Sequence, residues 1–265
     1  MKNYKKNPEA YIQDLEEKII DLSIKLKTSN NLVAATETKH NTLISKLTHN
    51  LKNPIGIAYS FSDMILDDLE NYTPEKLEKH LKIIKESSQY AISLLNTFVI
   101  FQQINSPNYT YNFELTNYIE LLNNIIHKNT ELAQNKNIIV LKSLPKDPIF
   151  TKIDSNKINL ALEQLIGNAI RFSETNSKIT ITVTANNTSI TTQIIDEGIG
   201  ISNNNLANVF NDFFVVNTYD VDKKKCIGLG LPIAKKIIKE HSGTISIDST
   251  INQGSSIKII LPICN

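Results

Sequence analysis

Four short stretches carry residues whose types and spacing could do chemistry. The first is Gln164-Leu-Ile-Gly-Asn168-Ala-Ile-Arg171-Phe172, whose periodicity predicts a helix with Leu162, Leu165, Ile166 and Ala169 toward a core. Gln164, Asn168 and Arg171 then share the other face, at i, i+4 and i+7. An amide oxygen there can ligate Mg²⁺, a hard cation that takes one or two protein oxygens beside phosphates. A guanidinium there can pair with a phosphate. The second stretch, Asp196-Glu-Gly198-Ile-Gly200-Ile, directly follows a strand-like run. A carboxylate can accept a hydrogen bond from an adenine amino group, and neighbouring glycines let backbone approach the base. The third, Gly228-Leu229-Gly230-Leu-Pro-Ile-Ala-Lys235, opens a helix. Backbone N–H groups at a glycine-rich helix start make an anion site. It lacks the third glycine and the earlier setting of a dinucleotide fingerprint. Each stretch alone is as well explained by a solvated face or a tight turn.

The fourth stretch is His49-Asn50-Leu-Lys-Asn53-Pro54. With Leu47, Leu51 and Ile55 on the buried side of a helix, His49 lies about 200° from Leu47, at ~100° per residue. It points outward, where a second domain could deliver a phosphoryl group. A lone surface histidine is usually nothing more than that. Pro54 lowers the weight of that bland reading, because a proline inside an apolar helix kinks or loosens it.

These groups need long helices and a sheet to hold them. Ile12, Leu15, Ile19, Leu22 and Leu26 alternate spacings of three and four, the seam of a coiled coil. The register continues through Ser29, Val33, Thr36, His40, Leu43 and Leu47, with a weak polar middle. So narrow a seam buries too little to be stable alone, which favours self-association. Apolar positions run on at Leu51, Ile55, Ala58, Phe61 and Ile65 until Asn71-Tyr72-Thr73-Pro74 breaks them. Thr73 is a candidate N-cap with Pro74 in the first turn, though Lys76 stands where a capping box wants an acid or amide. A second helix follows through Leu77, Leu81, Ile84, Tyr90, Ala91, Leu94 and Phe98. Two such helices form an antiparallel hairpin, and two hairpins make a dimeric four-helix bundle.

The pattern changes near Ser106-Pro107-Asn108. Helices are predicted over Glu114–Gln134, Lys157–Phe172 and Leu231–His241. Strands are predicted over Ile138–Leu141, Lys178–Ala185, Ser189–Ile195, Thr244–Ser249 and Ser256–Leu261. That order gives an α/β sandwich, with helices on one face of a mostly antiparallel sheet. The chain thus divides into an N-terminal coiled-coil-like helix (1–40), a helical hairpin (41–105) and a sandwich domain (106–265). Residues 210–227, with Lys223-Lys224-Lys225, read as a mobile cover or a flexible surface loop.

Composition bounds the rest. The 265 residues are 41% hydrophobic and 21% charged, ordinary for a globular chain, with a formal net charge of +1. No global field draws the protein to nucleic acid or acidic membranes. Cys226 and Cys264 have no metal-ligand spacing and suit a reducing compartment. The opening MKNYKKNPEAYIQDLEEK has no apolar core of a signal peptide, and no run approaches the ~20 apolar residues of a membrane helix. A cytoplasmic protein without membrane insertion is expected.

Taken in order, and closed by IKEHSGTISIDSTINQGSSIKIILP, the motifs resemble a sensor histidine kinase of two-component signalling, with an ATP-binding domain of the GHKL superfamily. The likeness covers roughly residues 40 to 262. The asparagine helix matches the N box, DEGIG the first glycine box, Phe210–Phe214 the F box, IGLGL the second glycine box, and His49–Pro54 the H box. The resemblance implies that Asn168 ligates Mg²⁺ and Asp196 binds adenine. It implies that Gly198 and Gly200 shape the base pocket, that Gly228, Leu229 and Gly230 face the phosphates of ATP with Arg171 nearby, and that His49 accepts phosphate. Three positions depart from the pattern. Gln164 replaces an asparagine, Cys226 a glycine, and Asn50 the usual acid after the histidine. An amide can fix the imidazole tautomer but cannot take its proton, and general-base help is worth ~10²–10⁴-fold. Slow autophosphorylation is expected.

Asn53 sits where such proteins hold an amide or threonine that positions water for dephosphorylation. The implied partners are a response-regulator receiver domain, a second copy of the chain and an upstream sensor. Alternatives are a kinase-weak phosphatase or phosphotransfer module, and a GHKL ATPase or scaffold. Gln164, standing where ATP-hydrolysing relatives have a glutamate base, counts against the last.

Overall fold

The computed structural model describes residues 8–222 and 225–263. Lys223, Lys224, Cys264 and the opening MKNYKK, all named above, lie outside the described residues. The chain divides into two compact units, Met1–Asn53 and Pro54–Asn265. The division falls within the first helix, α1 (Pro8–Asp67).

In the first unit, the seam positions Ile12, Ile19, Leu22 and Leu26 are exposed, while Leu43 and Leu47 are buried. His49 is exposed, as the helical geometry predicts, and Asn50 is half-buried.

The second unit starts at Pro54, which stays inside α1. The helix tolerates it at the cost of one N–H donor. Pro54 and Ile65 are buried and Ala58 and Phe61 half-buried. Ile55 corrects the expected core. It is 57% exposed, one residue off the face that Pro54 occupies. A 3₁₀ turn (Leu69–Asn71) leads to α2 (Pro74–Asn105). The Thr73 side chain accepts the Lys76 N–H at 3.3 Å with Pro74 at the first turn, so the cap works without a capping box. The hairpin is pinned by His80, edge-on to Phe61 at 4.8 Å, with its Nδ1 2.9 Å from the Tyr72 hydroxyl.

Beyond α2 the order is β1 (Glu114–Asn117), α3 (Tyr118–Gln134), β2 (Ile139–Ser143), β3 (Phe150–Ile153), α4 (Ser155–Phe172), β4 (Lys178–Ala185) and β5 (Ser189–Asp196). A short α5 (Asn203–Leu206), α6 (Gly230–Glu240), β6 (Thr244–Thr250) and β7 (Gly254–Pro262) complete it. Five strands form a sheet in the order β2-β4-β5-β7-β6, antiparallel except for β2 with β4. Alternation decides its faces. Ile179, Ile181, Ile190, Ile194, Ile257 and Ile259 are buried, whereas Thr180, Gln193 and Lys258 point the other way. The buried faces of α3, α4 and α6 supply the matching layer. The fully buried Tyr118 of α3 reaches Thr192 of β5 through its hydroxyl at 2.6 Å.

Two corrections concern short elements. Glu114–Asn117 is not the start of a helix. It is a strand paired antiparallel with Phe150–Ile153, which the sequence reading missed. Asn117 ends the strand and caps α3, accepting the Glu120 N–H. The helix predicted from Lys157 begins at Ser155 because Asp154 is its N-cap, accepting the Lys157 N–H at 3.0 Å. Among the described residues, no helix is long and apolar enough to cross a membrane.

Asp154 also ties α4 to the end of α6. Its backbone N–H donates to His241 Nε2 at 3.0 Å, and His241 Nδ1 lies 2.8 Å from the Ile237 carbonyl. The two contacts together require a neutral ring with the proton on Nδ1. Burial lowers the His241 pKa; the Ile237 carbonyl and the nearby Asp154 and Glu240 carboxylates oppose that shift. A histidine whose folded pKa is depressed gives stability that is fully present above its unfolded pKa of about 6.5 and is lost as pH falls toward the folded value. Denaturant midpoints are therefore expected to be level from pH 8 to 7 and to drop from pH 6.5 to 5. The drop should be smaller in His241→Gln.

Candidate nucleotide site

One face of the sandwich opens into a cavity of about 290 Å³. Its walls come from α4 (Gln164, Asn168, Arg171), the end of β5 and the turn after it (Asp196, Gly200), the segment before α6 (Cys226, Gly228, Gly230) and α2 (Ser93, Thr97). The three C-terminal stretches singled out by their chemistry thus meet in one place. Ser93 and Thr97 were not legible as lining residues, since nothing in α2 marks them apart from other small polar positions.

Asp196 ends β5 and is 7% exposed. Its Oδ1 accepts the Gly198 N–H at 2.9 Å and the Ser255 N–H at 3.1 Å. Burial raises its pKa, and these two N–H donors pull it back. Among the described residues Oδ2 has no hydrogen-bond partner. A buried carboxylate with one oxygen fixed by backbone and the other unused fits an exocyclic amine. Three glycines here are required by space. A Cβ on Gly198 would lie 2.5 Å from the Phe172 carbonyl oxygen, one on Gly200 (φ +66°) 1.9 Å from that of Thr250, and one on Gly254 (φ +84°) 1.8 Å from that of Asp196 itself.

At the other end, Gly228 has φ +76°, and a Cβ there would lie 2.6 Å from the Phe214 carbonyl oxygen. Leu229 is fully buried and precedes α6. A Cβ on Gly230 would approach Gln164 Oε1 to 2.7 Å and Asn168 Nδ2 to 3.6 Å. The missing side chain leaves the α6 N-terminus open toward the two amides. That pairing of an amide oxygen with free helix N–H groups fits Mg²⁺ and phosphate. Cys226 does not sit at positive φ; Phe213 (φ +59°) and Gly228 take those conformations instead. The Cys226 N–H donates to the Thr218 carbonyl at 2.9 Å, and Tyr219 and Lys225 form an antiparallel bridge, within the stretch read from sequence as a mobile cover or a flexible loop.

Arg171 also reaches the cavity wall, but its guanidinium is engaged. Nε donates to the Asp220 carboxylate and Nη2 to the Lys225 carbonyl at 2.6 Å.

Two family models match the chain. Residues 153–265 match the histidine kinase-, DNA gyrase B- and HSP90-like ATPase domain, and residues 39–107 match the histidine kinase A phospho-acceptor domain. The chain belongs to the sensor histidine kinases. Among curated sensor histidine kinases, the WalK protein of Bacillus subtilis (strain 168) is 26% identical over 222 residues, covering 83% of this chain and 36% of the relative. The Staphylococcus aureus WalK is 27% identical over 228 residues, covering 85% and 54%. The chain therefore spans about half or less of the sensor histidine kinases it matches. A crystal structure of the histidine kinase ThkA in complex with response regulator protein TrrA covers 84% of this chain and 61% of that one. The TM-score is 0.69 at 23% identity, a likeness of fold. The GHKL-type domain of a sensor histidine kinase implies ATP binding.

Proposed function

We propose that this chain is a cytoplasmic, homodimeric histidine kinase that phosphorylates itself on His49 with Mg-ATP and passes the group to an aspartate of a response regulator. The observation that carries the reading is the cavity in which the half-used carboxylate of Asp196 and the open α6 N-terminus beside Asn168 face one space. Asp196 would take the adenine amine, with Gly198 and Gly200 beside the base. Gly228, Leu229 and Gly230 would border the phosphates, with Asn168 ligating the metal. Bound there, Mg²⁺ would supply charge neutralisation on the phosphates.

His49 is exposed on α1, and its neutral imidazole would form the N–P bond as the bond from the γ-phosphorus to the bridging oxygen breaks and ADP leaves. Asn50 can accept the other ring N–H but cannot keep the proton, which passes to water. Domain roles follow the division into a coiled-coil-like helix (1–40), a phosphotransfer hairpin (41–105) and a catalytic domain (106–265). Support for a second copy comes from exposed apolar residues on both long helices, among them Ile19, Leu22, Leu26, Ile55, Ile92 and Val99. Input from an upstream sensor would reach the hairpin through the N-terminal helix.

A second reading, a response-regulator phosphatase with weak kinase activity, is favoured by Asn50 and by exposed Asn53 one turn beyond His49. Labelling with γ-labelled ATP separates the two. Acid-labile label should appear slowly in the wild type and about a hundredfold or more faster in Asn50→Glu, the range of general-base catalysis. Label in neither protein, with ATP bound, favours the phosphatase. Label in both at one rate sinks the base argument.

A further inference from the structure

The segment between α5 and α6 carries two ion-paired carboxylates spaced i, i+2. Asp220 holds Arg171, and Asp222 lies 3.3 Å from Lys136 Nζ. Lys136 in turn donates to the carbonyls of Ile170 and Arg171 at 3.1 and 3.4 Å, at the α4 C-terminus. The Tyr219–Lys225 bridge and the Cys226-to-Thr218 hydrogen bond hold the strands of this hairpin together. On the other side Lys225 lies over the Tyr90 ring of α2 at 5.3 Å.

The two acids differ in what they face. Lys136 is not among the residues that line the cavity, whereas Arg171 is. The Asp220 side chain is fully buried, and that of Arg171 is 31% exposed. A phosphate entering the cavity would therefore meet a cation already neutralised from behind, with two of its N–H directions spent on protein oxygens. The same buried carboxylate also repels any polyanion that approaches Arg171. Both effects have one sign: they cost phosphate-bearing nucleotides and leave the bare nucleoside untouched.

We infer that Asp220 is a specificity-determining residue of the nucleotide site, lowering the preference for ATP over adenosine by competing for Arg171. The inference rests on the nucleotide reading of the cavity. It makes Asp220 a positioning residue, acting through Arg171.

Affinities of ATP and adenosine, measured by titration calorimetry with Mg²⁺ present, test it. Asp220→Asn keeps an oxygen for Arg171 and removes the charge. It is expected to tighten ATP about threefold to tenfold and leave adenosine unchanged, an effect of the size expected for removing a half-screened charge. Asp222→Asn removes the same charge from the Lys136 pair and is expected to leave the ATP-to-adenosine ratio as it is. Arg171→Gln uncovers the Asp220 charge that the arginine neutralised and should weaken ATP about threefold to tenfold, opposite in sign to Asp220→Asn, with adenosine again unchanged. This second variant decides the matter even if Asp220→Asn does not fold. The inference is overturned if both ligands shift together in Asp220→Asn, if ATP weakens there, or if Arg171→Gln leaves ATP unmoved or costs it more than about tenfold. A wild type that binds neither ligand would overturn the nucleotide reading and this inference with it. A wild type that binds both, with a ratio unmoved by Asp220→Asn, overturns this inference alone.

Discussion

Asp196→Asn is expected to weaken ATP binding at least about a hundredfold while leaving the fold intact. The wild-type carboxylate divides its work between two oxygens. Oδ1 accepts two backbone N–H groups, from Gly198 and Ser255, and Oδ2 is left for a ligand. An asparagine must choose. If its oxygen keeps the backbone donors, its NH₂ faces the adenine NH₂, donor against donor. If it flips, two backbone N–H groups lose their acceptor in a buried site. A hydrogen bond to a charged group contributes roughly 1.5–3 kcal/mol, and an orphaned buried donor costs roughly 1–3 kcal/mol more. Each ~1.4 kcal/mol is tenfold in affinity. Calorimetric titration should show the loss, and a change below threefold would remove Asp196 from the base site. Near-UV circular dichroism guards against the alternative that the substitution disturbs Gly254, whose packing leaves no space next to the Asp196 carbonyl.

His49→Gln is expected to abolish acid-labile phosphorylation with no change in ATP affinity. His49 is exposed on α1, so a glutamine of similar size neither opens a cavity nor removes a buried hydrogen bond. The nucleotide cavity draws its walls from other residues. Phosphorylation and nucleotide binding should therefore separate in this variant, whereas they fail together in Asp196→Asn. That contrast assigns the two residues to different halves of one reaction.

Much of this was legible before the structure. The burial of Leu162, Leu165, Ile166 and Ala169 and the shared face of Gln164, Asn168 and Arg171 follow from a period of 3.6. The Thr73 cap and the β4–β5 hairpin were readable from local chemistry. Two of the failures share a physical cause, because each depends on a partner far away in sequence. Glu114–Asn117 carries no apolar alternation and becomes a strand only because Phe150–Ile153 lies beside it. Arg171 looked free for a phosphate because its partner Asp220 is 49 residues on, in a stretch with no periodic signal. Cys226, in a glycine's place, needs no positive φ, because Phe213 and Gly228 take those conformations. Ile55 was assigned to the core by a register that Pro54 in fact occupies.

The central claim is that Asp196 and its neighbours bind the nucleotide whose γ-phosphate His49 receives. The most direct test incubates wild type, His49→Gln and Asp196→Asn with γ-labelled ATP and Mg²⁺, alongside ATP affinities for the same three preparations. The account predicts acid-labile label in the wild type, none in His49→Gln with its ATP affinity unchanged, and none in Asp196→Asn with its affinity lost. Undiminished label in His49→Gln, or full ATP affinity in Asp196→Asn, would contradict it.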